Sequence, residues 1–240
     1  MTTPWIADEL ELLETLVDLR AAQPMIELGC GAAALARSLL ARHPGCHVTA
    51  LDVDARQHAK NLLQPQHGLE FMAAGAQSIP CASGTFGLAL MLKSLHHVPL
   101  PLLQTALAEI HRVLRPQGLL YVSEPVFAGD LNEIMRVFHD EQQVRAAALT
   151  AVRTAVDSGA WQQVSETRFG VPVTYRDFAE FERRQIGVTY LDHQLDAADL
   201  AQVRERFEPH MTASGAHFVR PMRVNLLRKV SRPVARCPVP

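Results

Sequence analysis

Cysteine, aromatic residues, net charge and long apolar runs are all scarce in this chain, and each scarcity removes a class of protein. Only four cysteines occur, at positions 30, 46, 81 and 237, with no Cys-x-x-Cys pair and no histidine at a matching spacing. That argues against a zinc site and against a disulfide framework. It suits a reducing compartment, so a cytoplasmic protein is expected. The formal net charge is −2, whereas a dedicated nucleic-acid binder carries a basic excess, so no nucleic-acid partner is expected. The most basic stretch, Arg220, Arg223, Arg228, Lys229, Arg232 and Arg236, reads as a solvated strand edge and tail. Met1-Thr2-Thr3-Pro4-Trp5 lacks the basic-then-apolar order of a secretory signal. No run approaches the ~20 consecutive apolar residues of a membrane span.

What is present is a chain 48 % hydrophobic and 20 % charged over 240 residues, enough for one well-packed domain with an embellishment. Leu10, Leu13, Leu16 and Val17 form one stripe of an amphipathic helix expected over 6–19. A short strand follows over 25–28, then a helix through Leu35, Leu39 and Leu40 that stops near His43-Pro44-Gly45. Strands are expected at 47–53 and 69–73, with a helix at 55–63 between them. The continuous apolar run Phe86 to Leu92 has the look of a strand buried on both faces of a parallel sheet. Leu103, Leu107, Ile110 and Leu114 recur at helical spacing, and a fifth strand spans 119–123. Strands alternating with helices over the first 125 residues specify a doubly wound α/β sheet.

Beyond that point one long helix or a broken pair is expected over 130–156, a strand over 164–174, and helices over 177–185 and 197–207. A closing strand spans 218–230, in which Pro221 suits an edge or a strand start.

The most informative stretch is Met25-Ile26-Glu27-Leu28-Gly29-Cys30-Gly31-Ala32-Ala33-Ala34. A short strand ends beside an acidic residue, and a two-glycine turn opens onto an alanine-rich helix. Glycines let a ligand approach the backbone, and the helix start offers N–H groups without intrahelical partners. Cys30 lies in this turn, where geometry asks only for a small residue. Gly29, Gly31 and Ala34 fit the dinucleotide pattern G-x-G-x-x-G/A, and Glu27-Leu28-Gly29-Cys30-Gly31 also resembles the E-x-G-x-G opening of class I S-adenosylmethionine-dependent methyltransferases.

Asp52 stands about 20 residues beyond the turn, at the end of the second strand, where a carboxylate can accept both ribose hydroxyls of an adenosine. Asp54 is better placed to cap the next helix. Glu27 favours one cofactor over the other. A buried carboxylate needs a cationic or donor partner; the methionine moiety carries an ammonium, and a nicotinamide dinucleotide does not.

Further along come Ala76-Gln77-Ser78-Ile79-Pro80, Gly84-Thr85-Phe86, Leu95-His96-His97-Val98 and Arg112-Val113-Leu114-Arg115-Pro116-Gln117-Gly118. With the glycine turn these resemble, in order, the methyltransferase core of the type 11 kind, over roughly 23–124. The resemblance implies a seven-stranded, mostly parallel Rossmann-like sheet with helical additions. It implies a single domain with core 20–125, a helical substrate-side insertion over 126–215 and a closing strand at 216–230. It implies S-adenosylmethionine as cofactor, held by Glu27, Gly29, Cys30, Gly31, Asp52, Val53, Ala76, Gln77 and Lys93, with no metal.

The chain departs from the family pattern at Ala33 (its third glycine), Gly75 (its adenine-binding acid), Gly87 (the aspartate after Phe86) and Gln117 (the first of two glycines after the proline). Methyl transfer from a sulfonium asks the protein to align an acceptor and, for oxygen or nitrogen, to remove a proton. His96 and His97 follow the fourth strand, Glu124 ends the fifth, and these three are the catalytic candidates. Phe127, Phe138, His139 and the N-terminal helix with Trp5 are expected to select the substrate. His139 and His193 are lone histidines without the spacing of a metal site. Few aromatics and near-neutral charge favour a small, partly apolar acceptor. The competing readings are a non-catalytic partner protein with a cofactor-like fold and an NAD-dependent oxidoreductase.

Overall fold

A four-residue strand as apolar as Met25–Leu28 is stable only if parallel neighbours flank it and helices cover both faces. The computed structural model describes residues 4–187 and 195–230, and there all four of these residues are buried. This strand, β1, pairs in parallel with β2 (Val48–Asp52) on one side and β4 (Phe86–Leu92) on the other. β3 (Leu69–Ala73) extends β2, and β5 (Leu114–Pro125) extends β4, both in parallel. With β6 (Trp161–Tyr175) and β8 (Gly215–Lys229) the sheet order is β3-β2-β1-β4-β5-β8-β6. The order reverses between β1 and β4, so the crevice beyond their carboxyl ends is a topological switch point, where open α/β sheets bind ligands. A two-residue strand, β7 (Met211–Thr212), pairs antiparallel with the start of β8 and makes eight strands among the described residues. The sequence gives no hint of it.

The helices are α1 (Glu9–Leu16), α2 (Ala34–Arg42), α3 (Ala55–Leu62), α4 (Leu103–Val113), α5 (Asp130–Met135), α6 (Gln142–Asp157), α7 (Phe178–Phe181) and α8 (Ala197–Phe207). α1 is shorter than the stripe suggested, and Trp5 lies ahead of it in a bridge to Gly170. The stretch 130–156 is the broken pair α5 and α6. Two caps match their residue types: Asp54 accepts from the N–H groups of Arg56 and Gln57, and Asp196 forms a capping box with Asp199. Pro221 corrects one expectation. β8 lies between β5 and β6, not at an edge, and Pro221 contributes its carbonyl to the N–H of Val126 at 2.8 Å.

The described chain forms two compact units. One comprises 10–124, 147–166 and 224–230; its core joins Ile26, Leu28, Leu51, Met91, Ile110 and Trp161. The other comprises 4–9, 125–146, 167–187 and 195–223. Its core is aromatic: Tyr175, Phe178, Phe181, Phe207 and Phe218 meet with ring centroids 5.0 to 6.1 Å apart where they touch. Among the described residues no helix is long and apolar enough to cross a membrane.

Candidate functional site

The glycine turn is held from behind by the neighbouring strand. The N–H groups of Gly29 and Cys30 both donate to the carbonyl of Leu51, at 2.8 and 2.9 Å. Gly29 has φ +70°, and a Cβ there would lie 2.6 Å from Cβ of Ser94, whose hydroxyl donates to the Leu28 carbonyl. Gly31 also has positive φ (+52°), yet a Cβ there would meet nothing within 4 Å. So the first glycine permits packing between β1 and β4, whereas the second faces open space. Ala33 occupies the left-handed region at φ 55°, which costs a residue with a Cβ roughly 1–2 kcal/mol.

Asp52, half-buried at the end of β2, accepts from the N–H of Gly31 at 2.6 Å and from that of Asp54 at 2.8 Å. A carboxylate offers about four acceptor positions, so capacity remains for two hydroxyls. Asn61 completes the support. It is the one buried residue of α3, and its amide donates to the Gly31 carbonyl at 2.8 Å. Sequence reading missed it, because one asparagine in a polar helix carries no mark of what it faces.

Glu27 lies between β2 and β4 and is buried, and its Oε2 has no hydrogen-bond partner among the described residues. Burial pushes its carboxyl up to about 8, opposed by a backbone hydrogen bond from Ala36 and assisted by Asp52. The same burial, with Glu27 and Asp52 nearby, pushes the Cys30 thiol up to about 12. Cys30 is therefore a protonated, unreactive filler of the turn, as its size suggested.

The loop after β3 explains a departure from the family pattern. A Cβ on Gly75 would lie 2.4 Å from Oε1 of Gln77, so the Gln77 amide occupies the space that a side chain at 75 would take. Ala76 beside it is buried. Arg112 fastens this loop to α4, donating to the carbonyls of Ile79 and Cys81 at 2.8 Å each. Glu109 returns the contact, accepting from the Ile79 N–H at 3.1 Å and pairing with Arg112. The hydrogen bond from Arg112 holds Glu109 well below its ordinary range, at about 2. Gly87 has a similar origin: a Cβ there would fall 2.4 Å from the Ala22 carbonyl and 2.8 Å from the Arg115 guanidinium.

Beyond β4, Lys93 is exposed, sits at φ 53° and donates its N–H to Ser123 at 2.7 Å. The 3-10 turn Leu95–His97 follows. Glu124 at the end of β5 clamps this turn: one oxygen accepts the Leu95 N–H at 2.9 Å and the other pairs with Nδ1 of His96. Both side chains of that pair are 3 % exposed. His97 is exposed, its ring 4.1 Å from that of His96. The nine cofactor candidates from Glu27 to Lys93, with His96, His97 and Glu124, thus lie at the carboxyl ends of β1, β2, β4 and β5 and on the loop after β3.

The remaining candidates lie in the other unit. Phe127 sits under the guanidinium groups of Arg136 and Arg145, Phe138 packs at the edge of the aromatic core, and His139 pairs with Glu141. Trp5 is 71 % exposed. His193 lies outside the described residues.

A parallel sheet of order 3-2-1-4-5 extended by two further strands, with a glycine turn after β1 and a carboxylate at the end of β2, is a doubly wound architecture suited to a nucleotide-containing cofactor. Residues 26–122 match the family model described as a methyltransferase domain. The chain is similar in structure to YcgJ of Bacillus subtilis, with TM-score 0.66, 15 % identity, and 93 % of this chain and 98 % of that one covered. It is also similar to the 4+2 cyclase SpnF, with TM-score 0.57, 19 % identity, and coverage of 92 % and 81 %. A third is the N-methyltransferase NodS of Bradyrhizobium japonicum, solved with S-adenosylhomocysteine, with TM-score 0.52, 15 % identity, and coverage of 93 % and 87 %. At such identities the likeness is one of fold. No curated protein matches the chain.

Proposed function

We propose that the protein transfers a methyl group from S-adenosylmethionine to a small-molecule acceptor. The observation that carries this reading is Glu27: a buried carboxyl with an unpartnered Oε2 directly behind the glycine turn, which an ammonium would satisfy. The open space over Gly31 and the spare acceptor capacity of Asp52 fit the same ligand.

When bound, S-adenosylmethionine supplies an electrophilic methyl on a sulfonium. Glu27 holds the amino group of the methionine moiety, and its carboxyl ionises as that cation arrives. Asp52 accepts from the ribose hydroxyls, and Val53, 74 % exposed, offers an apolar face beside them. Ala76 and Gln77 meet the base from the loop after β3, Gln77 supplying an amide where the family pattern places an acid. Gly29, Cys30 and Gly31 bring the backbone close, and Lys93 contributes backbone at the rim. Where the acceptor must lose a proton, the exposed His97 takes it, while Glu124 and the buried His96 hold the turn that carries His97.

Calorimetric titration with S-adenosylmethionine, S-adenosylhomocysteine and NADH tests the reading. The expected result is binding of the first two, lost in Asp52→Ala. NADH binding without S-adenosylmethionine binding would make the protein an oxidoreductase. No binding of any of the three would make it a non-catalytic partner protein. Transfer of labelled methyl from the cofactor into the small-molecule fraction of a cell extract tests the acceptor class.

A further inference from the structure

Gly31 sits at φ +52° with nothing within 4 Å of a Cβ built there, so no side-chain packing holds its backbone. A glycine visits many conformations at little cost, and hydrogen bonds have to fix the one that is used. The Ala33 N–H donates to the Cys30 carbonyl at 2.8 Å and closes the turn around Gly31 and Ala32. The two peptide groups that flank the Gly31 Cα are fixed separately. On one side the Gly31 N–H donates to Oδ2 of Asp52 at 2.6 Å; on the other its carbonyl accepts from Nδ2 of Asn61 at 2.8 Å. The Cys30 thiol also reaches that carbonyl, at 3.6 Å, but a thiol is a weak donor.

Asn61 is itself oriented. A carbonyl only accepts, so the amide turns its NH2 toward Gly31 and its oxygen outward. There Nε2 of Gln57, one turn earlier on α3, donates to Oδ1 at 3.1 Å. The donors therefore run one way, from Gln57 through Asn61 to Gly31, and from Gly31 to Asp52. Burial gives no reason for an amide at this position. Asn61 is the buried residue of α3, and an aliphatic side chain would gain more there without shedding water from a polar group. Anchoring the helix requires no donor, whereas holding the Gly31 carbonyl does. Without that hold the Gly31 peptide can turn its N–H away from Oδ2, and the Asp52 carboxylate keeps only the Asp54 N–H, at 2.8 Å, to set it.

We propose that Asn61 is a positioning residue for the cofactor: acting through Gly31, it fixes the Asp52 carboxylate in the orientation that receives the ribose hydroxyls. The inference rests on the reading of the site as one for S-adenosylmethionine and adds to it a residue that acts from behind the turn.

The test compares S-adenosylhomocysteine with its 2′,3′-dideoxyribose analogue by calorimetry, on the wild type and on Asn61→Leu, which keeps the bulk and removes the amide. The wild type is expected to prefer S-adenosylhomocysteine by about thirtyfold or more, the scale of hydrogen bonds to a charged group. In Asn61→Leu that preference should fall about tenfold, through weaker binding of S-adenosylhomocysteine, with the dideoxy analogue within about twofold of its wild-type affinity. A purely structural loss weakens both ligands alike. A second readout needs no ligand: in the variant the Gly31 amide proton shifts upfield in NMR spectra and exchanges faster with solvent. If Asn61→Leu melts too low to titrate, Gln57→Ala, at a half-buried position, takes its place, and the preference should fall about threefold. A wild type that binds neither ligand, or both equally, overturns the cofactor reading at Asp52 and this inference with it. If the wild type shows the preference and the variant retains it, weakens both ligands equally or leaves the Gly31 amide unchanged, the cofactor reading stands and the role of Asn61 is overturned.

Discussion

Glu124 and His96 come from different strand ends and are joined in a nearly solvent-free contact, with the second oxygen of Glu124 on the backbone N–H of Leu95. One carboxylate therefore sets both the path of the turn after β4 and the orientation of its first histidine. Glu124→Ala leaves two buried polar groups without their partner and should destabilise by roughly 2–4 kcal/mol. At about 2–4 °C per kcal/mol for a chain of this size, the melting temperature falls by about 5–15 °C. Glu124→Gln keeps an acceptor for Leu95 and should lose about half as much. Thermal denaturation of the two variants checks the ranking.

The two glycines of the turn should fail in different ways. Gly29→Ala drives a Cβ into Ser94 and should cost at least about 2 kcal/mol of stability. Gly31→Ala meets no neighbour and pays only for its left-handed backbone, about 1–2 kcal/mol. Its cofactor affinity should nevertheless fall about tenfold or more, since the methyl enters space assigned to the ligand. Melting curves and S-adenosylhomocysteine titrations of both variants separate packing from binding.

Glu27 makes stability depend on pH with a definite sign. Its folded carboxyl is raised from 4.5 to about 8, so the unfolded chain ionises first and releases the proton that the folded chain retains. The contribution is fully present below pH 4.5, falls as pH rises and is gone above about 8. Glu27→Gln should flatten that decline in urea melts across pH 5 to 8.5 and stabilise the cofactor-free protein at the alkaline end. An ammonium docking on Glu27 must ionise it, so S-adenosylhomocysteine binding near pH 6.5 should release about one proton. Calorimetry in two buffers of different ionisation enthalpy measures that release.

Gln117 is exposed and held at φ 64°, ahead of Gly118, where a Cβ would fall 2.9 Å from the Arg115 carbonyl. Gln117→Gly removes the left-handed strain without losing a buried contact. It should raise stability by about 1 kcal/mol and the melting temperature by roughly 2–4 °C, with cofactor binding unchanged.

Much of this architecture could be read from the sequence, because apolar runs such as Met25–Leu28 and Phe86–Leu92 have one stable use in an α/β sheet, and both strands end where their pattern ends. Pro221 misled for a physical reason. The rule that sends proline to an edge concerns its missing N–H, whereas here its carbonyl is the working group. Gly75 and Gly87 looked like worn motif positions. At Gly87 a distance explains the residue, since it lies under the Ala22 carbonyl from elsewhere in the chain, whereas at Gly75 the space is filled by the amide of Gln77, two residues on. Asn61 could not be found from the sequence, because its value lies in one carbonyl reached across thirty positions.

Arg112 binds the loop at Ile79 and Cys81 to α4 through two carbonyls, and Glu109 closes the bracket. The outer helix and the segment bearing Ala76 and Gln77 are therefore one mechanical part. A ligand that shifts Gln77 must drag α4 along or break three buttressing hydrogen bonds. The loop after β3 consequently owes its stiffness to a helix that begins some twenty residues further along the chain.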